Sequence, residues 1–444
     1  MDQDLAITAS GEATISRKLG MFTTTSVVVA NMIGTGILTT SGIIASHLPG
    51  VWWVLGCWLV GGIIAMTGAL SYGELATRMP QSGGEYVYLK KIYHPLLGFL
   101  TGWVSLFVGF SAPIAASAIA FSVYFAAGMD LESVRQVLFL KKSVAAGVIL
   151  LFTVVHYLGL RLGAIVQNTL TVVKLTIVVG LALTGIVLSG GSFPGLTLSM
   201  PSEGFALGTS MMLVMFSFSG WNASAYIAEE VKDPQRNLPR SLILGTGIVT
   251  LVYLAMNLFI FLVLPYEQVQ GTIPVVEVAT SSLFGEQAGN IFGLLVSIAL
   301  LASVSALVLL GPRVYYAMAK DRMFFSFASR VHPRYEVPGT AILIQGAIAI
   351  LIAVLGSFEQ LLIYIGYALG IFTWLAVASL FLARKRGIGE QTAVRTPGYP
   401  YVPGFFLLAN LTLLVVTFVN NPVESTVALV TLAVGVPFYF LVRK

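Results

Sequence analysis

The chain has 444 residues, of which 57% are hydrophobic and only 10% charged, against about a quarter charged in soluble domains. That balance excludes a soluble globular protein and points to a polytopic membrane protein. The net charge of +5 would suggest nucleic acid as a partner of a soluble chain. Here the basic residues follow membrane topology, so no nucleic-acid partner is expected and the lipid bilayer is the surrounding partner.

Residues 1–20, "MDQDLAITASGEATISRKLG", carry acidic residues and no apolar core. They are expected to be a cytoplasmic segment rather than a cleavable signal peptide, so the first span must direct insertion itself. Apolar stretches follow near 21–46, 52–76, 96–127, 143–160, 164–189, 205–229, 240–264, 289–318, 339–356, 358–383, 403–419 and 423–442. Each is about long enough to cross a bilayer, which predicts twelve transmembrane helices. An even count puts both termini on one side. Twenty of the 24 Lys and Arg then share that side, and only Arg135, Lys141 and Lys142 stand opposite. Such asymmetry makes the shared side cytoplasmic. No connecting stretch is long enough for a soluble domain with a second function.

Within the first span, "NMIGTGIL" (residues 31–38) places Gly34-Thr35-Gly36 at the centre of an apolar run, where each glycine costs about 1 kcal/mol of helix propensity relative to alanine. The sixth span has a comparable weak point in "FSFSGWN", at Ser217, Ser219 and Gly220. The two breaks lie five spans apart, so their helices cross in opposite directions. That is the pattern of an inverted repeat whose broken helices meet at the bilayer midplane. The sequence thus predicts a first repeat over 21–189 (helices 1–5), a second over 205–384 (helices 6–10), and an addition over 403–444 (helices 11 and 12 with a short tail).

A broken helix in hydrocarbon frees backbone groups that must be satisfied inside the protein. The outer half of span one aims free N–H groups at the centre, and the outer half of span six ends there with free carbonyls. A ligand with a carboxylate and an ammonium a few ångströms apart satisfies both, and the α-amino-acid backbone is such a ligand. Other readings stand beside it. Small residues often serve close helix packing. A channel would need repeated rings of carbonyls or charges, and none is evident. An enzyme would need a motif such as HExxH, Gly-x-Ser-x-Gly or a P-loop, and the sequence has none. The four histidines, His47, His94, His156 and His332, are scattered, and Cys57 is the single cysteine. No metal, cofactor or internal disulfide is expected.

The stretches "NMIGTGIL", "GELATRMPQSGGEYVYLKKIYHPLLGFLTGW", "FSFSGWNASAYIAEEVKDPQRNLPRSLI" and "RVYYAMAKDRMFFSFASRVHPRYEVP" resemble the amino acid–polyamine–organocation (APC) superfamily, and most of all its L-type amino-acid transporter branch and bacterial relatives. The resemblance covers essentially the whole chain. It implies an all-α, LeuT-like five-plus-five inverted repeat with helices 1 and 6 broken, working by alternating access. It also implies that Thr35 and Gly36 hold the substrate carboxylate while Ile33 offers a carbonyl to the amino group. Phe216, Ser217 and Ser219 match the unwound segment of span six that receives the ammonium, and Phe216 also matches an aromatic that closes over substrate. Trp221 and Asn222 complete the "GWN" of the L-type branch. Arginine-exchanging relatives carry a glutamate where Asn222 stands, which argues for neutral substrates. Animal L-type chains carry a partner-linking cysteine between spans three and four. The stretch 128–142 has none, so no obligate disulfide-linked partner is expected. Thr35 replaces a commoner serine and keeps its hydroxyl.

Other residues have both a functional and an ordinary reading. Glu74, Glu85 and Tyr86, with Glu229 and Glu230 beside Lys232 and Arg236, could form an inner gate locked by ion pairs, or simply anchor helix ends. Tyr253 and Asn257, one turn apart, could line the site or pair with each other. Ser303 and Ser305 fall where sodium-coupled relatives place hydroxyl ligands, although serine commonly bonds its own helix. Lys174 is the one basic residue well inside a span, where a charge is costly and is by default functional. The resemblance places its amine where sodium-driven relatives hold a cation, linking span five to the break in span one and to span eight. The sequence therefore points to a secondary transporter of neutral amino acids in a bacterial-type inner membrane, by sodium-independent exchange or, alternatively, by proton symport.

Overall fold

The structure, a computed structural model, describes residues 17–127, 134–189, 204–272, 275–355, 358–391 and 394–442. Of the expected N-terminal segment only residues 17–20 are among these, and of the stretch 128–142 only the part from 134. Arg443 and Lys444 lie outside the described residues.

The expected first span is two helices, α1 (Met21–Met32) and α2 (Thr35–His47). Next come α3 (Val51–Arg78), a short α4 (Glu85–Ile92), α5 (Pro95–Val104), a π-helical stretch Ser105–Ser111, and α6 (Ala112–Ala127). The first half closes with α7 (Val134–Tyr157) and α8 (Leu160–Leu188). The second half opens with α9 (Gly204–Phe218), which gives way to a 3-10 helix, Ala223–Glu230. Then follow α10 (Pro234–Val263), α11 (Tyr266–Val269), α12 (Val275–Phe284), α13 (Glu286–Lys320), α14 (Gly339–Leu355), α15 (Phe358–Lys385), α16 (Tyr401–Asn420) and α17 (Pro422–Val442). Among the described residues the only strand-like pairing is an isolated bridge between Leu19 and Val231.

Nine helical stretches among the described residues are long and apolar enough to cross a membrane. The other three expected spans fall on α7, whose apolar part is Lys142–Tyr157, on α9 with its 3-10 continuation, and on α14. Helix boundaries follow local chemistry. Pro95 starts α5, where its missing N–H costs nothing, and His94 Nδ1 accepts from the Leu96 N–H at 3.1 Å. α10 stops at Leu264, which takes extended backbone before Pro265. α4 and α12 were not foreseen as separate elements, because short amphipathic or apolar runs between spans lack the length that marks a crossing.

Burial grades from the centre outward. The α1–α2 pair is 83% buried over its most apolar window, whereas α16 and α17 are each 22% buried. α1 packs against α8, α10 and α13. Its approach to α10 is close enough that a Cβ on Gly245 would meet Val28 Cγ1 at 2.6 Å, the small-residue contact expected where lipid supplies no hydrophobic drive between helices. Outward-facing Leu183, Leu251 and Leu408 are exposed, as suits side chains that meet acyl chains. The broken helix thus sits at the protein's centre, the one place in hydrocarbon where an open backbone can be satisfied.

Candidate functional site

The first break is two residues long. α1 ends at Met32, Ile33 is extended and Gly34 non-helical, and α2 resumes at Thr35 with no side-chain cap at its N-terminus. The second break is longer: α9 ends at Phe218, residues 219–222 turn, and the chain continues as the 3-10 helix. Gly220 there has φ +99°, and a Cβ would come within 2.2 Å of Asn31 Nδ2, so the turn requires glycine on two grounds. The N-terminus of α2 and the C-terminus of α9 lie against each other: Thr40 Oγ1 is 3.2 Å from Ser217 Oγ, and a Cβ on Gly36 would meet Ser217 Cα at 2.7 Å. Gly36 is therefore needed for close packing of the two broken helices. That contact is the packing reading of this glycine.

A cavity opens beside this junction. Its wall includes Thr35, Gly36, Phe216, Ser217, Ser219, Trp221 and Asn222, seven residues singled out from sequence. Ile33 and Lys174 are not in the wall; they stand behind Gly34. Lys174, on α8 and 1% exposed, donates to the carbonyls of Ala30 (3.1 Å) and Ile33 and to Ser303 Oγ (2.7 Å). Ser303, on α13, lies 2.8 Å from the Ile33 carbonyl. The ammonium thus has three acceptors for its three protons, two of them carbonyls at the negative end of α1. The Ile33 carbonyl already faces two donors, which leaves it little capacity for a substrate amine. Ser305 belongs elsewhere and pairs with His156 Nε2 at 2.9 Å.

Sequence reasoning left Tyr253 open, and the structure gives it a definite place. From α10 its hydroxyl reaches the carbonyls of Met32 (2.6 Å) and Ser217 (2.8 Å). One hydroxyl thereby bridges the carbonyl ends of both broken helices, sharing a single proton between them. Asn257 does pair with it, donating to the Tyr253 carbonyl at 2.9 Å. The ring packs edge-on against Trp58 and Phe218 at 5.1 and 5.0 Å. No local signal marks this residue, since its partners lie on two other helices. The π-helical stretch, whose Ser105, Gly109 and Phe110 join the cavity wall, is equally silent in the sequence, although such segments are common at functional sites.

The acids at the helix ends divide. Glu74, fully buried, takes Arg78 Nε at 2.8 Å, Arg384 Nη2 at 2.6 Å and the Thr396 N–H at 2.7 Å. Glu230 holds Arg313 through two bonds of 2.7 and 3.1 Å, and Glu229 faces Lys320 at 3.7 Å. The expected neighbours Lys232 and Arg236 are not the partners of these acids. Tyr86 donates to Asp321 at 2.7 Å. Leu19 adds the chain entry to this layer by bonding with Glu230 and Lys232 backbone. Glu85 corrects the ion-pair expectation. Among the described residues its carboxyl has no cation; it accepts from Tyr72 (2.7 Å) and from Asn222 Nδ2, and it lies in the cavity wall. Burial pushes this carboxyl above the usual carboxylate range, against the pull of its hydrogen bonds. Among the described residues no group of His, Cys, Asp and Glu could hold a metal ion.

Comparison with known proteins matches the chain over residues 19–441 to the amino acid permease family. It is 27% identical over 436 residues to the serine/threonine exchanger SteT of Bacillus subtilis (strain 168), covering 97% of this chain and 98% of that one. It is 28% identical to the b(0,+)-type amino acid transporter 1 of Homo sapiens, with 96% and 88% covered. It is also 28% identical to the large neutral amino acids transporter small subunit 2 of Mus musculus, with 98% and 83% covered.

Proposed function

Because this chain belongs to the amino acid permease family, a family of transporters rather than enzymes, we propose that it moves neutral L-α-amino acids by sodium-independent exchange. The architecture proposed with this is the LeuT-like one of twelve helices, with repeats over 21–189 and 205–384 and helices 11 and 12 over 403–444. Both termini would face the cytoplasm from an inner membrane. Amino-acid exchange also fits the relatives, one of which is named as a serine/threonine exchanger.

The observation that carries the reading is the meeting of an uncapped helix N-terminus with a helix C-terminus beside one cavity. The N–H groups of Thr35 and Gly36 suit a carboxylate. The carbonyl end of α9, near Phe216, Ser217 and Ser219, suits an ammonium. Two donors already face the Ile33 carbonyl and only one each the carbonyls of Phe216 and Ser217, so the ammonium is assigned chiefly to α9. Phe216 and Trp221, both in the wall, would close over the side chain, and Asn222 adds a neutral amide. Lys174 serves as a tethered cation that stabilises the break in place of sodium. Cys57 is buried in α3, so a disulfide-linked partner forms no part of the proposal.

The test is uptake into proteoliposomes. Labelled amino acid should enter vesicles preloaded with unlabelled amino acid and not buffer-loaded ones, and it should ignore sodium. Methyl esters and N-acetyl derivatives, each lacking one backbone charge, should fail to compete. Potent inhibition by either would count against backbone recognition at the helix ends. Concentrative uptake into empty vesicles under an inward proton gradient would replace exchange with proton symport.

A further inference from the structure

Glu85 begins α4 and is 2% exposed, yet it borders the cavity. Its Oε1 accepts from the Tyr72 hydroxyl of α3 and from Asn222 Nδ2 at the second break, and the Tyr226 hydroxyl of the 3-10 helix also lies against the carboxyl, so every contact it has is with a neutral group. The titratable groups that face it are Tyr72 from α3, Tyr226 from the 3-10 helix and Tyr88 from α4 itself, none of them cationic. Charged groups on the neighbouring elements are committed elsewhere. Asp321 takes Tyr86 and Lys90, Arg384 takes Glu74, and Arg386 donates to the Ile92 carbonyl. α5, which also packs on α4, contributes no charged residue. An ionised carboxylate buried among tyrosines costs far more than the neutral acid.

We propose that Glu85 is a proton-binding site in the wall of the transport cavity, protonated while α4 and the 3-10 helix are in contact and deprotonated when that contact opens to the cytoplasm. The inference rests on the reading of the cavity as the transport path. Opening hydrates the carboxyl and lets it ionise, so acid holds the contact closed. The stabilisation is complete below the ordinary glutamate range and is lost as pH rises through the raised value of the closed state. A protonated Glu85 also leaves the cavity without net charge, which reconciles a buried carboxyl beside Asn222 with neutral substrates.

The test is cysteine accessibility, which needs no identified substrate. In a Cys57→Ala background, Thr101→Cys places a thiol in the cavity wall. A membrane-impermeant methanethiosulfonate is then applied to inside-out vesicles from the ordinary glutamate range, about pH 4.5, up to about pH 8. With Glu85 present, labelling should rise with pH more steeply than the thiol alone requires, by up to about tenfold per pH unit for one linked proton. Glu85→Gln, a fixed mimic of the protonated acid, should label slowly with only the thiol's own pH dependence, and Glu85→Asp should restore the extra slope. Equal slopes for Glu85 and Gln would overturn the proposal. A surface cysteine in the Glu85 protein serves as reference should the Gln variant not fold, and a cavity slope no steeper than that reference overturns it equally. Failure of wild-type counterflow, by contrast, would overturn the transport reading and leave labelling to judge Glu85.

Discussion

The two helix breaks use the same device and are held by different means. At the first, the backbone opens for only two residues, and polar side chains from three other helices hold it: Lys174 from α8, Ser303 from α13 and Tyr253 from α10. At the second, the chain turns over residues 219–222 and continues as a 3-10 helix, and packing does most of the holding beside the Tyr253 hydroxyl on the Ser217 carbonyl. Gly220 presses on Asn31, Trp221 stands edge-on to Tyr72 at 4.7 Å, and Asn222 ties to Glu85. The short break is satisfied by side-chain donors from neighbouring helices. The long one is held by a wall of rings and the contact between Asn222 and Glu85. On the proposed reading, the first is the fixed pole of the cavity and the second the pole through which movement and proton linkage would act.

The largest effect that would break this comparison is at Lys174. Lys174→Ala leaves the carbonyls of Ala30 and Ile33 only the single hydroxyl proton of Ser303 to share, in surroundings where an unsatisfied backbone group costs several kcal/mol. Exchange should fall by about a hundredfold or more, read as initial rate in proteoliposomes at matched protein incorporation; a rate near wild type would remove the polar clamp from the argument.

Glycine substitutions come next. Gly36→Val should abolish transport, and the collision with Ser217 means that it should also lower thermal stability in detergent. Gly220→Ala combines a left-handed φ with a collision, and should destabilise by about 1–3 kcal/mol, visible as a lower melting midpoint. Unchanged midpoints in both would show that the two helices can separate without cost.

Tyr253→Phe removes one hydroxyl and keeps the ring. Loss of the hydroxyl takes this donor from the buried carbonyls of Met32 and Ser217, a cost of about 1–3 kcal/mol. Exchange should fall roughly tenfold while the melting midpoint moves little. A fall as large as that of Lys174→Ala would make the bridge, rather than the cation, the keystone of the first break.

The smallest effect sharpens the second pole. Asn222→Asp sets a second carboxyl against Glu85, and two such groups cannot both ionise in a shared site. Uptake of neutral amino acids should weaken severalfold at alkaline pH and recover as pH falls and the pair retains a proton. A flat pH profile in this variant would separate Asn222 from Glu85 functionally.

Much of this was legible along the chain because it is local. Hydropathy and charge marked the membrane class, Gly34-Thr35-Gly36 and Ser219-Gly220 marked both breaks within a residue or two, and a lysine deep in an apolar run announced itself. A run of apolar residues, a helix-breaking glycine and an isolated charge each carry their physical cost wherever the neighbours lie. Tertiary structure decided who meets whom. It set Tyr253 across two carbonyls more than thirty and more than two hundred residues away, turned Gly36 against Ser217, gave the Ile33 carbonyl to Lys174 and Ser303, and supplied from α4 the carboxyl that Asn222 itself lacks. Those contacts depend on helix rotation and on close approach between distant spans. Apolar periodicity is nearly uniform around a helix surrounded by lipid and protein, so it leaves that rotation unspecified, and packing settles it.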